Sequence, residues 1–229
     1  MYDAVVDSAH MDATGETALP GDPLEGIGPL QGFARATAGP FLRRYFRMEV
    51  EGAEHMPPEG PLVLVANHES MWDIPLLVVA SPRPIVFMAK QGVYNSPFNR
   101  WFFTRLGGFP VRLGGRDPAA VRKARAVVRA GRVLGIYPEG TRVRAGELGP
   151  FRSGAARIAL GEGVPIMPAA MRGTGEIWPK GARYPRPARV RVRFGAPIHV
   201  ERIAGPAARR ERARTLTEEL RAQIESLGV

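Results

Sequence analysis

The residues able to do chemistry in this 229-residue chain gather at Ala66-Asn67-His68-Glu69-Ser70-Met71-Trp72-Asp73. An apolar run, Leu62 to Ala66, leads straight into this polar turn, and a helical pattern over Met71–Ala80 follows it. At the carboxyl end of a strand in an open α/β sheet, residues face the crevice where ligands bind. His68 stands on the turn, with Asp73 five residues on and within reach of one imidazole nitrogen. That is the pairing of a general base with its carboxylate. The carboxylate fixes the tautomer and stabilises the imidazolium formed when the other nitrogen takes a proton. With no Ser or Cys placed to serve as nucleophile, the base acts on a substrate hydroxyl directly, which implies acyl transfer without a covalent intermediate. The same two residues also read as a turn cap and a solvated first-turn acid.

Two more strand ends carry polar groups. Gly108-Phe109-Pro110-Val111-Arg112 and Tyr137-Pro138-Glu139-Gly140-Thr141-Arg142 each follow the same pattern of an apolar run ending in a loop. Taken singly, Pro-Glu-Gly-Thr is a turn signal and Arg112 a surface charge. Together, three strand ends deliver His, Asp, Glu and two Arg, and Arg forks suit a phosphate monoester by bidentate hydrogen bonding. The sequence holds no GxSxG, P-loop, GxGxxG or HExxH motif, and its four histidines show no ligand spacing. With no cysteine there is no disulfide, thiolate metal site or Cys nucleophile. No metal and no cofactor are expected.

The elements that must position these residues are strands at Leu62–Ala66, Ile85–Ala89, Gly108–Arg112, Val133–Tyr137, Ile166–Met171 and Val190–Phe194. Between them lie helices at Met71–Ala80, Ser96–Leu106, Pro118–Ala130 and Arg152–Gly161, with a last one over Pro206–Leu227. The alternation predicts an α/β fold, a mixed, largely parallel sheet flanked by helices. Residues 1 to 23 read as a mobile acidic tail and 24 to 229 as one domain. Residues 24 to 48 form an amphipathic helical segment, split into two helices at Gly39-Pro40. This segment either packs on the domain or lies at a membrane interface. The stretch Gly173–Pro187, carrying Trp178 and Lys180, is a lid or a plain connection. Phe98, Trp101, Phe102 and Phe103 fit core packing better than a tunnel lining or an interfacial edge.

Lys and Arg number 32 against 22 acids, but the first 34 residues hold six of those acids and no base. The chain from Arg35 onward therefore carries 16 acids against 32 bases, a body of +16 behind a prefix of −6. Such a body favours polyanions: nucleic acid, an anionic bilayer or phosphate-bearing substrates. No nucleic-acid reader motif accompanies the charge, so nucleic acid drops out. The longest strongly apolar run, Ile74 to Ala80, is far short of the ~20 residues of a spanning helix. The expected place is the cytoplasm, peripheral on the inner face of the cell membrane.

In their order along the chain these blocks resemble the glycerolipid acyltransferase family, the 1-acylglycerol-3-phosphate acyltransferases and their relatives. Asn67 to Asp73 matches the first block, NHxSxxD, and Gly108 to Arg112 resembles the second. Tyr137 to Arg142 resembles the third, usually FPEGTRS, and Val164-Pro165-Ile166-Met167-Pro168 the fourth. Phe151-Arg152-Ser153-Gly154 is similar to a family F-K/R-x-G turn, and Met88-Ala89-Lys90 to its AK segment. Val143 stands where the third block usually has Ser, and Ala169 where the fourth usually has Val.

The resemblance implies that His68 deprotonates the free hydroxyl of 1-acylglycerol 3-phosphate, giving phosphatidate, or of another lysophospholipid or glycolipid acceptor, and that Asp73 orients it. The acyl donor is then acyl-CoA or acyl carrier protein, a cosubstrate and not a cofactor. Lys90, Arg112, Arg142 and the loop of Glu139, Gly140 and Thr141 hold the acceptor's phosphate, with Glu139 ordering an Arg or a hydroxyl. Backbone N–H groups at the start of the Ser70 helix are the expected oxyanion donors. Arg35, Arg43, Arg44 and Arg47 are left to hold the enzyme against an anionic membrane surface. His68→Ala and Asp73→Ala are expected to abolish transfer while folding survives.

Overall fold

The computed structural model describes residues 27–112, 117–179 and 183–228. The acidic tail and Lys180 lie outside them. Strands β1 (Glu49–Glu51), β2 (Leu62–Ala66), β3 (Ile85–Lys90), β4 (Gly108–Val111), β5 (Val133–Ile136), β6 (Ile166–Arg172) and β7 (Arg191–Phe194) form one sheet. Its order is β1-β7-β6-β2-β5-β3-β4, and every pair is parallel except β6 with β7. The mixed, largely parallel sheet expected from the alternating pattern is thus present. Its central strands are buried on both faces and read as continuous apolar runs for that reason.

Alternation of side chains splits the core in two. Val63, Val65, Val86 and Leu134 face helices α4 (Pro118–Arg129), α5 (Gly154–Glu162) and α6 (Pro206–Ser226). Leu62, Leu64, Ala66, Ile85 and Phe87 face the other layer, which contains α2 (Asp73–Ala80). Helix α1 (Ile27–Tyr45) lies over α2, and α3 (Pro97–Arg105) stands beside β4. The expected apolar stripe of the last helix is realised, with Leu216, Leu220 and Ile224 buried against α5 and β6.

Helix α1 runs unbroken through Pro40, against the expected split. Proline inside a helix frees the carbonyl four residues back and costs roughly 3 kcal/mol. Here Ala36 and Pro40 are both exposed, so water can take that carbonyl. Tertiary bonds offset the rest. The buried Gln31 amide donates to the carbonyls of Ile85 and Leu106 (2.7 and 2.8 Å) and accepts the Ile85 N–H (3.0 Å). Arg35 and Arg43 donate to the carbonyls of Ser81 and Val79 (2.9 and 2.8 Å), where α2 ends and cations are favoured. Two of the four arginines assigned to the bilayer are therefore committed to the fold, while Arg44 and Arg47 are exposed.

Strand β1, absent from the sequence reading, forms because its glutamates pair across the ladder. Glu49 and Glu51 lie in register with Arg191 and Arg193, whose Nε atoms reach them at 2.9 and 3.0 Å. The aromatic face of α3 is not core, contrary to the expectation. Phe98 is 68% exposed and Trp101 55%, and the helix has no buried residue.

Candidate active site

Because β2, β5, β3 and β4 are parallel neighbours, their carboxyl ends share one edge of the sheet. Along that edge stand His68 after β2, Tyr137 to Arg142 after β5, Lys90 ending β3 and Arg112 after β4. At about 4.8 Å between strands, Lys90 lies roughly 10 Å and Arg112 roughly 14 Å from the His68 line.

The turn after β2 is built from its own side chains. Asn67 is buried and extends the β2–β6 pairing: its amide donates to the Met171 carbonyl (2.8 Å) and accepts the Met171 N–H (2.7 Å). Only a side chain with both a donor and an acceptor can do this. The chain then turns, and Asp73 opens α2 with its carboxylate directed back into the turn. Its Oδ2 accepts the Nδ1–H of His68 at 2.6 Å and the N–H groups of Glu69 and Ser70 at 2.8 Å each. Oδ2 accepts from both backbone N–H groups and acts as acceptor toward the imidazole as well, so the His68 proton belongs on Nδ1 and Nε2 keeps its lone pair. The His68 side chain is 16% exposed and Asp73 fully buried, so the imidazole meets the crevice while its partner does not.

These bonds correct the expected oxyanion donors. The helix begins at Asp73, not Ser70, and the Glu69 and Ser70 N–H groups are taken by the carboxylate. The Trp72 N–H is directed at Ser70 Oγ (3.3 Å).

The loop after β5 grips the histidine backbone on both sides. The His68 N–H donates to Glu139 Oε2 (2.8 Å), and the His68 carbonyl accepts the Val143 N–H (2.9 Å). The other Glu139 oxygen accepts the Gly149 N–H (3.0 Å). The partners of this buried carboxylate are thus backbone N–H groups, where an Arg or a hydroxyl was expected. Burial pushes its pKa up, against the pull of the two N–H bonds. Gly140, at φ +71°, makes the turn that lets the loop fold back, with the Arg152 side chain against it. Val143 acts here through its backbone, so the departure from Ser leaves this bond intact.

Glu69 is a second buried tie that sequence reasoning passed over. It accepts the Gly146 N–H (2.9 Å), the Thr174 hydroxyl (3.4 Å) and the Gly175 N–H (3.3 Å), binding two loops to the turn. Its pKa is likewise raised by burial. The Gly173–Pro187 stretch is accordingly anchored at Thr174 and Gly175, and Ile177 is buried in the core. The only sequence signal for Glu69 was its place inside the first block.

The basic residues keep to the other strand ends. Lys90, Thr141, Arg142 and Arg112 are all exposed, and neither Lys90 nor Arg142 forms an ion pair among the described residues. Arg112 is fixed through its backbone N–H, which donates to Asp117 Oδ2 (2.9 Å). The edge thus divides into an acidic, buried end around His68 and a basic, open end at β5, β3 and β4.

Comparisons with known proteins give this α/β domain a family. Residues 47–172, more than half of the chain, match the Acyltransferase family model, and the chain belongs to that family. It is similar to the 1-acyl-sn-glycerol-3-phosphate acyltransferase of Pseudomonas aeruginosa, 30% identical over 186 residues, 78% of this chain and 70% of that one. It is also similar to a chloroplastic 1-acyl-sn-glycerol-3-phosphate acyltransferase of Brassica napus, 33% identical over 143 residues. That match takes in 60% of this chain, which spans only 41% of the plant protein. Among solved structures, the 1-acyl-sn-glycerophosphate acyltransferase PlsC of Thermotoga maritima superposes with a TM-score of 0.64 at 25% identity, covering 87% of this chain and 82% of that one.

Proposed function

We propose that the chain moves a fatty acyl group from an acyl-CoA or acyl carrier protein thioester to the free hydroxyl of 1-acylglycerol 3-phosphate, giving phosphatidate. The observation that carries this reading is the 2.6 Å bond from His68 Nδ1 to a buried Asp73, which leaves Nε2 as the base at the crevice. Nε2 takes the acceptor's hydroxyl proton while the oxygen attacks the thioester carbon. Collapse of the tetrahedral intermediate expels the thiolate, which takes the proton back from the imidazolium, yielding ester and free thiol. Asp73 balances the imidazolium charge between those steps. No residue of the chain forms a covalent bond in this scheme.

Charge decides where the acceptor's phosphate goes. Asp73, Glu139 and Glu69 crowd the β2 end, so a phosphate is repelled there and drawn to Lys90, Arg112 and Arg142. The loop of Gly140 and Thr141 borders that site. Glu139 serves by holding His68 and the loop, not by touching phosphate. Relatives named as 1-acyl-sn-glycerol-3-phosphate acyltransferases support this acceptor.

The third partner in this reading is an anionic membrane surface. No described helix is long and apolar enough to cross a membrane. Exposed Phe33, Phe41 and Tyr45 on α1, and Phe98, Trp101 and Phe102 on α3, support contact with lipid at the interface. The two helices are tied by the Gln31 bond to Leu106, directly after α3. Arg44, Arg47, Arg100 and Arg105 are exposed and add the charge that anionic lipid attracts.

The test is thiol release from acyl-CoA and acyl carrier protein donors against lysophosphatidate, other lysophospholipids and glycerol 3-phosphate. Lysophosphatidate is expected to give the highest rate. Arg112→Ala is expected to raise its KM about 10- to 100-fold, the worth of one charged hydrogen bond. An unchanged KM would point to another acceptor, and no acceptor-dependent release would refute the reading.

A further inference from the structure

A column of rings stands beneath the base. On β5, Gly135 has no side chain where an added Cβ would lie 2.8 Å from the Phe87 ring and 2.8 Å from Ile85 Cγ2. Phe87 therefore packs on bare backbone. Two residues on, and on the same side of the sheet, Tyr137 stacks over Phe87 with the rings 7° from parallel and 6.2 Å apart. The His68 imidazole stacks over Tyr137 in turn, at 4.4 Å and 22°.

This stacking supplies what the Asp73 bond does not. One hydrogen bond at Nδ1 fixes a single atom of the imidazole, and rotation about the bond to such a ring is soft. A flat partner at van der Waals distance restrains the ring's plane, and with it the direction of the Nε2 lone pair. The face of an aromatic ring is negative and attracts a cation held over it, so the stack favours the imidazolium over the neutral ring. We propose that Tyr137 is a positioning residue for the base: its ring face sets the plane of the His68 imidazole and stabilises the protonated form. This rests on the assignment of His68 as the base.

The charged and titratable groups around His68 are Asp73 from α2, Glu139 from the loop after β5 and Glu69 on its own turn. A change at Tyr137 leaves all three in place. The Tyr137 hydroxyl is buried without a partner among the described residues, and burial, helped by the Asp73 charge, pushes its ionisation well above the ordinary range. Tyr137 is therefore neutral wherever the enzyme works, and replacing it with Phe or Leu changes no charge.

The test follows the His68 ring proton by NMR titration of the full chain without substrate, assigned by its loss in His68→Ala. It is combined with kcat, acceptor KM and the pH profile of kcat/KM. Tyr137→Leu is expected to lower the His68 midpoint by about half a unit, moving the rising limb of the profile to lower pH by the same amount. It is also expected to cut kcat about tenfold or more with KM within about twofold. Tyr137→Phe, which keeps the ring, is expected to hold the wild-type midpoint and kcat. If the leucine chain does not fold, Tyr137→Met replaces it. An unmoved midpoint and kcat in the Leu or Met chain, or a Phe chain that falls as far, overturns the proposal. The titration needs no acyl substrate, so absence of acyl transfer in the wild type counts against the proposed function alone.

Discussion

Asp73→Asn and Asp73→Ala are expected to fail in different ways, because one carboxylate oxygen carries three hydrogen bonds. Oδ2 holds the His68 Nδ1–H and the N–H groups of Glu69 and Ser70, while Oδ1 is buried without a partner among the described residues. Alanine strands two backbone N–H groups in a buried turn at about 1–3 kcal/mol each, about 2–6 kcal/mol together. For a chain of this size that lowers Tm by about 5–20 °C. Asparagine can set its oxygen where Oδ2 stands and its NH2 where Oδ1 stands, so the turn survives with Tm reduced by a few degrees at most. The negative charge is lost, and with it the stabilised imidazolium. A general base contributes roughly 10²- to 10⁴-fold, and kcat of the Asn chain should fall within that range. Thermal unfolding and thiol release on the same preparations measure both effects. An Asn chain with kcat within tenfold of wild type would show that the charge is not needed. An Ala chain as stable as the Asn chain would show that the carboxylate does not hold the turn. The Asp73→Ala chain is thus expected to fold, as anticipated from sequence, but with a lowered Tm.

Three further outcomes follow. Glu139→Gln offers one acceptor to the N–H groups of His68 and Gly149, so one side of the loop comes free and kcat falls about tenfold or more; steady-state kinetics with wild-type values would contradict this. Asp117 caps α4 through the Ala120 N–H and also accepts the Arg112 N–H, and these bonds hold its pKa below the ordinary 3.8. Because the folded value is depressed, the cap's contribution is present above pH 3.8 and fades as pH falls through the folded value. Asp117→Ala should therefore cost about 1 kcal/mol by denaturant unfolding at neutral pH and progressively less in acid; a loss independent of pH would refute it. Replacing Phe98 and Trp101 together with Ser should lower partition onto anionic vesicles about tenfold or more, measured by sedimentation, and unchanged partition would remove α3 from the membrane contact.

The strands were legible because parallel strands buried on both faces read as unbroken apolar runs, and their polar ends marked the sheet edge. Leu62–Ala66 is the clearest case, and the turn after it carries the His–Asp pair. What escaped was held by partners far along the chain. Glu49-Val50-Glu51 has no strand signal of its own and becomes β1 through Arg191 and Arg193, some 142 residues away. Helix α1 survives Pro40 through bonds from Gln31, Arg35 and Arg43 that no local propensity encodes. In the site, the roles of Glu69 and Glu139 depend on which backbone N–H groups two distant loops bring to them. Their residue types suggested contact with polar groups, but only the folded loops decide which ones. The exposure of α3 was hidden because an aromatic stripe at helical spacing looks the same in a core and on a surface.

Proton removal from the acceptor's hydroxyl by His68 Nε2 can be measured as phosphatidate formation from acyl thioester and lysophosphatidate, with wild-type and His68→Ala chains of comparable thermal stability. A fall in kcat of roughly 10²-fold or more in His68→Ala is predicted, and a His68→Ala chain that still makes phosphatidate at the wild-type rate would contradict it.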